Sequence, residues 1–176
     1  MKVSLALTSN TYKRSSPDPS KPELVVTIET SNADILTVEL RGEHDSGTVL
    51  DDGFRAEHFA FYDLTTSSEV VNRDPFPGTC EPREALYLDG VLELRASESL
   101  ETRQRLEDVN PLSDPVRQLE VGHEYRIILK PQTIWSFVGS KADLFSGRTQ
   151  VPVAELPEGI MVTLKTEDEL ILKVEA

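Results

Sequence analysis

The feature that most constrains this chain is a two-residue apolar period that recurs along its whole length. Val3, Leu5 and Leu7 alternate with Lys2, Ser4 and Ala6, and Leu24, Val26 and Ile28 with Val25, Thr27 and Glu29. Val38 and Leu40 alternate with Thr37, Glu39 and Arg41. Phe59, Phe61 and Asp63 fall on one face, opposite Ala60 and Tyr62. The same period returns at Tyr125, Ile127 and Leu129, at Met161, Thr163 and Lys165 against Val162 and Leu164, and at Leu170, Leu172 and Val174. Successive side chains of a strand point to opposite faces, so this pattern predicts strands with one face buried and one wet.

Turn residues punctuate these runs. Ser31-Asn32-Ala33-Asp34, Val121-Gly122-His123, Pro157-Glu158-Gly159 and Thr166-Glu167-Asp168 each separate two apolar segments. Asp89-Gly90, between Leu86-Tyr87-Leu88 and Val91-Leu92-Glu93-Leu94, reads as a tight hairpin. Residues 97–108 have apolar residues only at Leu100 and Leu106, a spacing that makes no helical stripe but fits one strand face with Thr102 and Gln104. Residues 9–22, 72–82 and 110–115 are Pro-rich and read as long loops, because proline lacks the N–H that a central strand needs. The expected fold is all-β: one domain over residues 1–176, an antiparallel immunoglobulin-like β-sandwich of about nine strands with long Pro-rich loops.

Charge and cysteine content narrow the function classes. Asp and Glu total 31 against 18 Lys and Arg, a formal net charge of -13. Nucleic-acid binding rests on cationic contacts to phosphate, and anionic membranes attract cations, so neither partner is expected. A protein partner or self-association is. The single cysteine, Cys80, can form no disulfide within the chain, which suits a reducing compartment. The opening apolar stretch ends at Leu7, short of the roughly seven to fifteen residues of a signal-peptide core. No segment reaches the roughly 20 apolar residues of a membrane span, and the expected location is cytoplasmic.

Residues 24–28, 35–38, 59–65 and 119–126, with the closing strand pair, resemble in this order a group of intracellular proteins of filamentous fungi with an immunoglobulin-like sandwich. The arrangement is also similar to the β-rich propeptides of some fungal metalloproteases. The resemblance covers most of the chain from residue 23 onward. It implies fold and compartment, and it carries no activity and no functional residues to transfer.

No motif assembles a catalytic set. His44, His58 and His123 are scattered, with no HExxH or CxxC spacing for zinc. Cys80 is followed by Glu81, the wrong neighbour for a stabilised thiolate, though Arg83 offsets it in part. Gly139-Ser140-Lys141 lacks the upstream glycine of a phosphate loop. Glu43, Asp45, Asp51 and Asp52, interleaved with glycines, form the best candidate for a hard cation such as Ca²⁺, although the DxDxDG spacing is missing; otherwise no cofactor is expected. The segment around Trp135 and Phe137, with Phe145 beyond, is too apolar for an ordinary exposed loop. It either closes one end of the core or forms a contact patch.

The leading expectation is a non-catalytic protein-interaction module using loops at 43–53, 72–83 and 133–145. One alternative is a small-molecule binder or enzyme with a pocket between Trp135 and Phe76, with Asp74, Glu81 or His123 as acid or base. Another is a protease-inhibitor or propeptide-like role, on fold analogy alone.

Overall fold

A computed structural model describes residues 1–15, 21–30, 34–40, 48–50, 58–70, 84–106 and 115–176. Among these the chain forms fourteen strands: β1 (Lys2–Leu7), β2 (Thr11–Lys13), β3 (Glu23–Glu29), β4 (Leu36–Glu39), β5 (Phe59–Asp63), β6 (Ser68–Val70), β7 (Ala85–Tyr87), β8 (Val91–Leu94), β9 (Ser99–Arg105), β10 (Glu124–Leu129), β11 (Gln132–Val138), β12 (Gln150–Pro152), β13 (Ile160–Leu164) and β14 (Glu169–Glu175). One short helix, α1 (Lys141–Phe145), interrupts them. It starts at a capping box in which Ser140 and Asp143 bond each other's backbone N–H. No helix among the described residues is long and apolar enough to cross a membrane.

The strands form four sheets, ordered β1-β3-β9, β2-β14-β10-β5-β6, β13-β11-β4-β8 and β12-β7. The fold is all-β and mostly antiparallel, with β2 and β14 paired in parallel. One large apolar cluster joins the first three sheets. It takes Val3 and Leu5 from β1, Leu24, Val26 and Ile28 from β3, Phe59 and Phe61 from β5, Tyr125, Ile127 and Leu129 from β10, and Leu170, Leu172 and Val174 from β14. These are the residues on the apolar side of the two-residue period, and burying such side chains contributes about 1.5–3 kcal/mol each.

Four features depart from the sequence expectation. First, fourteen strands replace about nine: β2, β6 and β12 have three residues each, too short for alternation to be read, and Gln132–Val138 forms the seven-residue strand β11 inside the segment 133–145 expected as a loop. Second, β2 lies inside the expected 9–22 loop; it is the end strand of its sheet, where flanking prolines are tolerated. Third, Asp89-Gly90 makes no hairpin. Residues 88–90 form a 3-10 turn, β7 pairs with β12, and β8 pairs with β4. Gly90 is not among the positive-φ glycines, and a two-residue hairpin turn at Asp-Gly requires positive φ. Fourth, Thr37 and Glu39 are buried like Leu36 and Val38, because the interior strand β4 is covered on both faces. Residues 97–108 do form a strand over Ser99–Arg105, with Leu100, Thr102 and Gln104 partly covered and Ser99, Glu101 and Arg103 exposed.

The turn before β10 is held by a local lock. The Glu120 N–H donates to the Tyr125 hydroxyl at 2.8 Å, and burial pushes that phenol's pKa above its usual value. Gly122 adopts φ +90°, a region that penalises any side chain, and its N–H donates to the Val174 carbonyl of β14 at 2.8 Å. Val174 returns a bond to the His123 carbonyl at 3.0 Å. Leu119, buried, anchors the start of the turn. Tyr125→Phe leaves the Glu120 N–H without its acceptor and is expected to cost about 1–2 kcal/mol of unfolding free energy. Gly122→Ala is expected to cost about 1 kcal/mol through backbone strain. Urea unfolding of each variant measures both.

Candidate functional site

The strand registers divide the molecule into two ends. In the β5–β10 pair Asp63 lies opposite Tyr125 and Phe59 opposite Leu129. The connection from β3 to β5 arrives at the Phe59 end, and the connection from β10 to β14 departs at the Leu129 end. In the β5–β6 pair Phe61 lies opposite Val70, so β6 also leads out towards the Phe59 end. These three connections carry β4, then β7 and β8, then β11, α1, β12 and β13. One end of the molecule is therefore an added structure, and the other is the tight turn around Tyr125.

The added end has its own core. Leu86, Val91, Leu144, Phe145 and Val151 form a second buried cluster, with Trp135, Phe137 and Leu156 partly buried against it. Trp135 and Phe137 stand two residues apart on β11 and so share one face. Their rings stack with centroids 6.3 Å apart and planes within 6°. Two glycines make room for them. A Cβ on Gly159 would collide with the Trp135 indole at Nε1, and one on Gly139 would collide with the Phe137 ring. Gly139 also sits at φ +150°. Buried Thr37 on the adjacent strand donates to the Gly139 carbonyl at 2.7 Å. Trp135 lies opposite Met161 on β13, which is 49% exposed, next to Ile160 at 57%.

Of the residues singled out in the sequence, Trp135, Phe137 and Phe145 thus come together in the second cluster. His123 does not join them, since the whole of β10 separates it from β11. Trp135 and His123 flank opposite ends of one strand, and the Phe76 side of the expected pocket lies outside the described residues. Phe76, Asp74 and Glu81, the cation candidates Glu43, Asp45, Asp51 and Asp52, and His44 and Cys80 lie outside the described residues. Among the described residues no three His, Cys, Asp or Glu side chains are grouped to hold a metal ion.

His123 belongs to the opposite end. Its Nδ1 lies 2.7 Å from the buried Asp63 carboxylate, its Nε2 faces Glu120 at 3.5 Å, and its ring stacks on Tyr125. Burial opposes the charged form of Asp63. The hydrogen bonds from His123 and Thr66 and from the Thr65 and Thr66 backbone N–H groups outweigh it and lower the carboxyl pKa to about 2. Both ring nitrogens of His123 face carboxylates, an arrangement that clamps the β5–β6 hairpin to β10 and offers no activated nucleophile. Glu120 and Tyr125 were not singled out in the sequence; the Leu119, Gly122, Tyr125 spacing was the available signal.

His58, unlike the partly exposed His123, is buried. Its Nδ1 lies 2.5 Å from the Gln132 amide nitrogen, while the Gln132 carbonyl accepts the Val49 N–H at 3.0 Å. This network ties the start of β11 to the strands beneath it. Clefts open on the surface of the described residues. One of about 280 Å³ is lined by Leu24, Val26, Val49, Leu50 and residues 102–104. One of about 600 Å³ lies between residues 1–3 and Thr163, Lys165 and residues 166–168. Neither is lined by Trp135 or Phe137.

No family model, no curated protein and no solved structure matches this chain.

Two outcomes follow from this geometry. Gly159→Ala forces the indole out of its place, so Trp135 emission should shift to the red and become more accessible to acrylamide, with a stability loss of about 1–3 kcal/mol. The Asp63 carboxyl has a folded pKa below its unfolded one, so its stabilisation is complete above pH 4 and is lost as pH falls towards 2. Asp63→Asn should flatten that part of the stability–pH curve while lowering stability at neutral pH; chemical denaturation at a series of pH values reads both.

Proposed function

We propose that this chain is a non-catalytic protein-interaction module: an immunoglobulin-like sandwich whose one end has grown into a binding head. Three features support the sandwich reading. The sheet β1-β3-β9 and the sheet β2-β14-β10-β5-β6 have the strand neighbours of such a fold, the buried faces of both feed one cluster, and the Tyr125 turn matches the tyrosine corner found before a central strand of that architecture. Loops at one end of such a sandwich are its usual recognition surface.

The observation that carries the functional reading is the concentration of added structure at that end. Six of the fourteen described strands, the helix and the whole second apolar cluster come from three connections that open side by side. The described residues within 30–58, 71–98 and 130–168 also hold 11 acidic and 5 basic residues, a net charge of -6. Exposed Met161 and Ile160 and half-buried Trp135 and Phe137 supply apolar contact area beside that charge. The fitting partner is a protein presenting basic side chains around an apolar centre, drawn in by charge and held by the apolar contact. A cytoplasmic setting accords with a single cysteine. No specific observation favours a small-molecule site at Trp135.

Affinity enrichment from extract of the native host, with Met161→Glu and Lys13→Glu as paired baits, tests this reading. A partner recovered by the unaltered protein and by the Lys13 variant, but depleted about tenfold or more with Met161→Glu, is the expected result. Equal recovery by both variants would place the contact elsewhere.

A further inference from the structure

We propose that the partner docks by adding an extended strand to the free edge of β13; this rests on the reading of the added end as a protein-binding head. Among the described residues β13 has one strand neighbour, β11, and ends its sheet. Exposed edges present unpaired N–H and C=O groups, and proteins commonly blunt them with charge, proline or a cap. The β13 sequence, Ile-Met-Val-Thr-Leu, has neither charge nor proline. Its most exposed side chains, Ile160 and Met161, are adjacent and therefore point to opposite faces of the sheet. An incoming strand would meet an apolar neighbour on both faces, which no ordinary solvent edge requires.

Open space borders the C-terminal part of this edge, at Thr163. The cleft of about 600 Å³ has Thr163 and Lys165 on one wall and residues 1–3 on the other. The second wall is also a sheet edge, because β1 ends its own sheet. That edge is already blunted. The Leu5 N–H donates to the Asp168 carboxylate at 2.9 Å, and the Thr166 hydroxyl holds the same oxygen at 2.9 Å. Of the two edges flanking the cleft, β1 carries a side-chain cap and β13 carries none that the described residues supply. The added strand therefore pairs with β13.

Charge selects the occupant. Glu158 lies just before β13, and Glu167 and Asp168 lie just after it, with Lys165 between, in an end whose described residues carry a net charge of -6. The segment that fits is about five residues long in extended form, with alternating small apolar and hydroxylic side chains and Lys or Arg at both ends. Main-chain bonds would supply affinity and the flanking cations would supply orientation.

The probe is a synthetic peptide with two lysines, an alternating Val-Thr-Val-Thr-Val core and two more lysines, added to the full chain. Hydrogen exchange resolved by residue is the readout. The expected result is slowed exchange in β13, together with at least about tenfold weaker binding when alternate peptide amides are N-methylated, because such a peptide keeps its charge and loses its edge-facing donors. Equal binding by the methylated peptide, or protection absent from β13, overturns the proposal. Protection that moves to β11 or β7 overturns strand addition while leaving the head as the binding end. Protection of β13 that rises with protein concentration alone would instead assign the edge to a second copy of this chain, and would also overturn it.

Discussion

The register of β10 between β5 and β14 is the constraint on which the rest of the molecule depends. A slip of one residue on either side would turn Tyr125, Ile127 and Leu129 to solvent and bring Arg126 and Ile128 inward. The lock that prevents it sits at the start of the strand. Tyr125 fills the core with its ring and accepts the Glu120 N–H with its hydroxyl, Gly122 takes the backbone conformation that lets the turn reach β14, and His123 fastens the turn to Asp63 at the end of β5. With one end of β10 fixed in this way, its other end delivers the chain into β11 in a defined position. The added sheet inherits its placement from that point.

That inheritance explains why one apolar cluster runs across three sheets. Ile134 of β11, Leu36 and Val38 of β4, Leu94 of β8 and Leu164 of β13 are buried in the same cluster as the β10 and β14 side chains. The opposite face of the added sheet has to be covered separately, and Leu86, Val91, Leu144, Phe145 and Val151 cover it. The interior strand β4 is covered on both faces, which is why it buries Thr37 and Glu39 along with its apolar residues, while β13 at the end of the same sheet stays exposed. The functional reading rests on the same point. A second core lies at this end, and its described residues carry a net charge of -6 while the other described residues balance to zero.

Most of the longer strands were legible in the sequence because burial on one face imposes a period that composition cannot hide; the exception is β11, Gln132–Val138, which falls in the segment 133–145 expected as a loop. The Ser99–Arg105 strand shows this well: Leu100 and Leu106 lie six positions apart, and that spacing alone favoured a strand over a helix. Three things were not legible. Strands of three residues give at most two points on a face. The Asp89-Gly90 pair has the composition of a hairpin turn, but its neighbours find better partners in distant strands, Leu86 opposite Val151 and Leu92 opposite Val38. Long-range pairing of that kind leaves no local trace. The gathering of Trp135, Phe137 and Phe145 was half legible, since their apolar character marked the segment, while the glycines that admit the two stacked rings are separated from one another by twenty residues. His123 and Trp135 looked equally available to one site only because a sequence does not show that a whole strand lies between them.

The most direct test of the account is cross-linking through lysine in intact cells, followed by mapping of the links to other proteins. Lys130, Lys141 and Lys165 lie at the added end, whereas Lys13 and Lys173 lie on the paired strands β2 and β14 and are themselves well exposed. The account predicts that links to other chains concentrate on the first three. Links dominated by Lys13 and Lys173 would contradict it and would make the added end a structural elaboration rather than the binding head.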